Sequence, residues 1–496
     1  MGISMVDLAG LSRMTPRSRR VALIAASGPA ALLVGIGIVY APLLGMAACG
    51  LLVWAASTAL YPGYLARVFL AAAGVLLLGY ALLGPVFSHI GAGPVYLGEM
   101  VLGIGVLSLP RRHWFTGFNS IVIWNLIAFM AWGALRTLPF VPAYGSYALR
   151  DAVLWAYAAF ALLLVPLLCD GEPLRKLTRA YSRAAVAIVI WTPIGLLITR
   201  SLGSVLPVDS STGIALAVVK AGDAAIHLAG IAAFFLLRLD GGVGKRSGWR
   251  RAGAVGLALC WLAAFGVVAA TSRGGMLAIL VAIGAVLAFR LRDAAPRVAT
   301  VAALGLTLGI VVAGADVAID IGYNRQVSVA QLGRNFESIA STSSHDQLDA
   351  TKQWRIMWWN KIIGYTIDGP YFWTGKGFGV NLADDDGFQT HDRVLRSPHN
   401  ANMTVLARSG VPGLALWVSL QLTFGAALLR TIVRARAAGE RVWEARAIWV
   451  LAYWLAMLAN ASFDVYLEGP QGGIWFWCVI ALGIAVSQGY ARGHRT

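Results

Sequence analysis

The 496-residue chain is 58% hydrophobic and 13% charged, with a mean hydropathy of +0.71. That balance excludes a soluble globular fold and describes a polytopic membrane protein. The net charge of +17 fits basic cytoplasmic loops beside anionic lipid headgroups better than a nucleic-acid surface.

The expected class is therefore all-α, a transmembrane helix bundle in which each helix satisfies its own backbone. Arg13, Arg17, Arg19 and Arg20 precede an apolar run from Val21, which reads as an uncleaved first span rather than a cleaved signal. Apolar runs follow at 21–40, 42–60, 67–84, 97–109, 118–135, 152–169, 185–200, 213–237, 252–270, 274–290, 298–316, 411–430, 447–461 and 473–488. They predict about 12 to 14 spans. Cys49, Cys169, Cys260 and Cys478 lie in or beside these runs at spacings that fit neither zinc nor a disulfide framework.

With the N-terminus inside, alternate connections carry most of the basic residues, among them Arg111, Arg112, Arg175, Lys176, Arg238, Lys245, Arg290, Arg434, Arg436 and Arg492. The opposite short connections hold only Arg136, Arg150, Arg200 and Arg273. This alternation obeys the positive-inside rule and places both termini in the cytoplasm. It divides the chain into an N-terminal bundle (1–316), a long outer loop (317–410) and C-terminal spans (411–496). A loop of that length is expected to be functional. Within it, Thr351–Ile367 predicts an amphipathic helix whose Trp354, Met357, Trp358, Ile362 and Tyr365 rest on the membrane surface. Asn400–Arg408 predicts a short helix broken by Gly410-Val411-Pro412-Gly413.

His399 is the first candidate for chemistry. A lone histidine at an interface commonly does no more than satisfy a hydrogen bond. Here Pro398 fixes the backbone, Asn400 offers an orienting amide, and the site faces outer water, so a neutral imidazole could accept a proton from a hydroxyl. Arg200 and Arg273 sit at outer span ends, where a guanidinium fork suits phosphate oxygens; snorkelling or a carboxylate partner is the plain alternative. Lys220, Asp223 and His227 share one helical face, read either as an internal Lys220–Asp223 pair or as a polar wall beside the site. Asp384, Asp385 and Asp386 read as a solvated run, and Gly375, Gly377 and Gly379 as a tight turn.

Arg355-x-x-x-Trp359, Gly375-Lys376-Gly377-Phe378-Gly379, His399-Asn400, Ser409-Gly410-Val411-Pro412-Gly413-Leu414 and Ser272-Arg273-Gly274-Gly275 together resemble the O-antigen ligase and polymerase superfamily. The likeness covers roughly the chain from residue 185 onward. It departs in the long outer loop and in Ala401 to Met403, where an aromatic commonly follows His-Asn. The resemblance implies a GT-C-like glycosyltransferase of the bacterial inner membrane, working at the periplasmic face without a metal or other cofactor. Its partners would be a polyprenyl-diphosphate-linked glycan donor, a glycan or glycolipid acceptor and the bilayer, with no nucleic acid. His399 would be the base and Arg273, with Arg200, the diphosphate grip; Asn400, Arg355, Lys220 and Asp223 would support them. A polymerase joining lipid-linked repeats is the alternative within the superfamily, and a lipid-linked glycan transporter the alternative outside it.

Overall fold

The computed structural model describes residues 63–92, 95–108, 120–169, 171–201, 219–241, 248–315, 319–320, 326–340, 346–390 and 395–493. The expected spans at 21–40 and 42–60 lie outside the described residues. From residue 67 onward, every expected apolar run carries a helix. In order these are α1 (Tyr64–Leu83), α2 (Leu97–Ser108), α3 (Ile121–Thr137), α4 (Ser146–Ala156), α5 (Ala158–Leu168), α6 (Gly171–Ser201), α7 (Ala221–Leu236), α8 (Gly248–Thr271) and α9 (Arg273–Gly314). Three helices of the outer loop follow: α10 (Val329–Ala340), α11 (Asp346–Thr366) and α12 (Leu382–Asp386). The chain closes with α13 (Ala401–Ala437), α14 (Arg441–Ala461) and α15 (Pro470–Gly493). Among the described residues, 9 helical segments are long and apolar enough to cross a membrane, and α2 and α7 are shorter apolar helices. Two short antiparallel ladders, Gly91–Ala92 with Val95–Tyr96 and Ile319–Asp320 with Gln326–Val327, add no layer to this all-α bundle.

The runs at 274–290 and 298–316 form the two arms of α9, which meet at a kink where Arg290 has non-helical dihedrals. The chain turns back there. Arg297 donates to the Leu236 carbonyl at the end of α7, Gly305 lies against Leu262 midway along α8, and Asn335 of α10 donates to the Ala269 and Ala270 carbonyls at the far end of α8.

The centre of the bundle is α7, α14 and α15, buried on nearly every side, as helices apolar all round must be. Glycines let these helices approach: Gly230 faces the Tyr453 ring, Gly483 the Phe424 ring, and the Trp449 indole donates to the Gly230 carbonyl. Close packing of this kind replaces the hydrophobic drive that lipid cannot supply.

The two ends of the bundle differ in character. At one, Arg290 and Arg436 both donate to buried Glu444, with Arg434 in the last turn of α13 and Arg441 at the start of α14. At the other lie Lys220, Arg273, the 462–469 connection and His399.

The amphipathic helix forms as α11, but its apolar face does not rest on a membrane surface. Trp358 and Ile362 are fully buried in a second core with Leu382, Ala383, Leu406 and Ala407. The Trp358 ring stacks on Phe388 and its indole N–H donates to Asp386 at 2.7 Å, while Tyr365 reaches the same carboxylate. The loop's own return segment covers the stripe, and its polar atoms need a partner that lipid lacks. Only Met357 of the expected face is largely exposed.

Candidate active site

The His399 corner is held from several sides. Asn400 caps α13, its amide oxygen accepting from the Asn402 and Met403 N–H groups at 2.9 and 3.3 Å, the standard service of an N-cap side chain. That use occupies the amide expected to orient the imidazole. The Pro398 carbonyl accepts from the Trp359 indole at 3.0 Å. On either side of the corner, Ser397 and Thr404 are buried and both bond Glu468, the Thr404 hydroxyl at 2.8 Å. His399 itself has a φ of 54°, one of two non-glycine residues with positive φ among those described. Such a conformation costs energy and persists where the surroundings over-determine it.

Opposite this corner, two helix starts meet the end of a third helix. A Cβ added at Gly222, in the first turn of α7, would lie 2.8 Å from Asp464; one at Gly274, in the first turn of α9, would lie 3.2 Å from Phe463. The first turns of α7 and α9, where the positive end of each helix dipole lies, thus pack against the connection after α14. Ser272 caps α9 by accepting from the Gly275 N–H at 3.1 Å. Lys220, the residue before α7, bonds Asp464 at 2.8 Å. Arg355 of α11 donates to the Phe463 carbonyl at 2.9 Å, and its charge and that of Arg273 act on each other.

These charges converge on His399. Burial, with repulsion from Arg355, lowers its imidazole to about 4; Asp464 opposes that shift and Lys220 adds to it. Burial alone would lower the Lys220 ammonium, but Asp223, Asp464 and Glu468 outweigh it and hold the ammonium above its usual value. Burial raises the Glu468 acid against the opposing Ser397 hydrogen bond and Arg408 charge. The imidazole is thus neutral at physiological pH, with cations on one side and a carboxylate within electrostatic reach.

Behind the corner, α13 is broken at Gly410 (φ 69°, ψ −172°). The break leaves helix carbonyls without partners, and distant segments supply them. Lys376 N–H donates to Ala407 at 2.7 Å, Gly377 N–H to Arg408 at 3.0 Å, and the Trp132 indole to Ser409 at 2.9 Å, while Val411 N–H donates to Phe372 at 2.8 Å. The approach needs the glycines: Gly375, Gly377 and Gly379 all have positive φ, and a Cβ on Gly375 would fall 2.4 Å from the Arg408 carbonyl carbon. Arg408, buried, pairs with Asp151 at 2.9 Å, and Arg396 joins the same carboxylate at 3.0 Å. The glycine turn and the helix break are therefore one unit, tied to α4 through Asp151.

Residues 258–418 match the family model described as O-antigen ligase. Over this stretch the chain is similar to the O-antigen ligase family. It runs from α8 into α13 and includes Arg273, Arg355 and His399. No curated protein matches the chain.

Three charged groups beside the matched stretch complete the cluster: Lys220 precedes it, and Asp464 and Glu468 follow it. Sequence reasoning passed over both acids, although they are the acidic residues of a short connection between two spans, where a charge is costly without a partner. One of the two sequence readings paired Lys220 with Asp223; the ion pair forms with Asp464, because Lys220 precedes the helix in extended backbone rather than sharing the α7 face, and Asp223 acts on it through its charge. His227 lies deeper, against Trp475 and the Tyr453 hydroxyl, away from the corner. Asp386 is buried, not solvated, and bonds Lys376 as well as Trp358. The Arg200 side chain lies outside the described residues; its helix end is placed beside Lys220 by the Thr199 hydroxyl, which accepts from the Val219 N–H at 2.8 Å.

Proposed function

We propose that the protein transfers a glycan from a polyprenyl diphosphate carrier to a sugar hydroxyl, as an O-antigen ligase does, at the periplasmic face of the bacterial inner membrane. The observation that carries this reading is that Lys220, Arg355 and Asp464 lie within electrostatic reach of the His399 imidazole, as Arg273 does of Arg355. The acceptor oxygen attacks the anomeric carbon, the bond to the diphosphate oxygen breaks, and the acceptor proton passes to His399. Arg273, Lys220, Arg355 and Arg200 stabilise the charge that develops on the departing lipid diphosphate, aided by the N-termini of α7 and α9. Asp464 fixes Lys220 and stabilises the imidazolium that forms. The arginine-rich end opposite His399 supports a cytoplasmic placement for that end and a periplasmic one for the site.

Membranes carrying His399→Ala at normal protein level should lose transfer of labelled glycan; full activity would remove the histidine from the chemistry. The superfamily's polymerases use the same donor, so a deletion strain divides the two roles. Accumulation of lipid-linked chains with no attachment marks a ligase, whereas attachment of single repeats without long chains marks a polymerase.

A further inference from the structure

A second feature lies at the end of the bundle away from His399. Helices α6, α7, α8 and α9 line an open groove of about 1290 Å³. Its wall is hydrocarbon from end to middle, and Ile190 and Leu280 are substantially exposed there. Trp261 and Phe265 stack in parallel at 5.5 Å along one side. Gly253 and Gly256 line it on α8, and a Cβ on either would meet nothing within 4 Å. From Gly253 to Phe265 the lining runs roughly 18 Å along the helix axis. One leaflet of the hydrocarbon core is about 15 Å deep. At the mouth stand Arg238, exposed and with a φ of 56°, Arg297 and Asp240. In the sequence, Lys245 and Arg246 follow in the same connection, and Arg250 and Arg251 fall in the first turn of α8.

An apolar groove of one-leaflet depth, within a bilayer, is filled by hydrocarbon rather than water. Its mouth has a net positive charge, which suits a phosphate ester. We propose that this groove binds one anionic phospholipid of the surrounding bilayer, with acyl chain along α8 and phosphate at Arg238.

The site is tested by native mass spectrometry of the full-length protein from mild detergent, with phosphatidylglycerol or phosphatidylcholine added. The wild type should retain one phosphatidylglycerol per chain and at least fivefold less phosphatidylcholine. Gly256→Leu fills the groove at a helix position with open space and should cut retention of both lipids at least tenfold, with an unchanged thermal midpoint in lipid-free detergent. Arg238→Gln should retain lipid but lose most of the preference for phosphatidylglycerol. Equal retention of the two lipids by the wild type, no retention at all, or undiminished binding by Gly256→Leu would overturn the site. None of these readouts depends on glycan transfer.

Discussion

At the residue scale, His399 combines a strained backbone with a depressed basicity. Left-handed backbone costs a non-glycine residue about 1–3 kcal/mol, whereas asparagine tolerates it better than most. His399→Asn should therefore melt no lower than the wild type in detergent yet lose transfer by about 10²–10⁴-fold, the range for a general base. The pH dependence follows from the sign of the shift. The base must be neutral, and its free-enzyme value is about 4, so the acid limb of kcat/KM should fall near pH 4, not near 6.5. A bound diphosphate adds negative charge and raises the imidazole, so the acid limb of kcat should lie at higher pH than that of kcat/KM. Arg355→Gln removes a repelling cation and should move the kcat/KM limb upward. Arg273→Lys keeps a charge but loses the fork, and transfer should fall at least tenfold. Glu468 bridges both flanks of the corner. Glu468→Ala removes an acceptor of the buried Ser397 and Thr404 hydroxyls, at a cost of about 1–3 kcal/mol, read as a lower melting midpoint with a reduced kcat.

At the element scale, the break in α13 and the glycine turn stand or fall together. Gly410 occupies a region of backbone space open in practice only to glycine, and an added Cβ would sit 2.5 Å from the Phe372 carbonyl oxygen. Gly410→Ala and Gly375→Ala should each destabilise by more than about 2 kcal/mol. Because they disrupt one contact, the double variant should cost clearly less than the sum, a comparison made by thermal melting. The break was legible in Gly410-Val411-Pro412-Gly413, and the turn in its alternating glycines. Their mutual docking was not, since hydrogen bonds between residues about 31 positions apart (Gly377 N–H to Arg408) leave no local pattern. The same holds for α11: its apolar stripe was visible, but a stripe looks alike whether lipid or Phe388 and Leu382 will cover it.

At the scale of the whole molecule, the hydropathy of the chain fixed the existence of the spans, because any apolar run of about 20 residues in a bilayer must close its hydrogen bonds as a helix. The alternation of arginines along the sequence likewise anticipated the arginine-rich end around Glu444. Sequence also singled out His399, Arg273 and Arg355, through motifs whose glycines and prolines demand particular backbone shapes. Only the tertiary structure decided the partners. Lys220 finds Asp464 across 244 residues of chain and Arg408 finds Asp151, because an ion pair depends on which helix ends meet in space. Helix neighbours in a bundle are chosen by shape and small residues, such as Gly222 and Gly274 against the end of α14, and that choice is written in no single stretch of sequence.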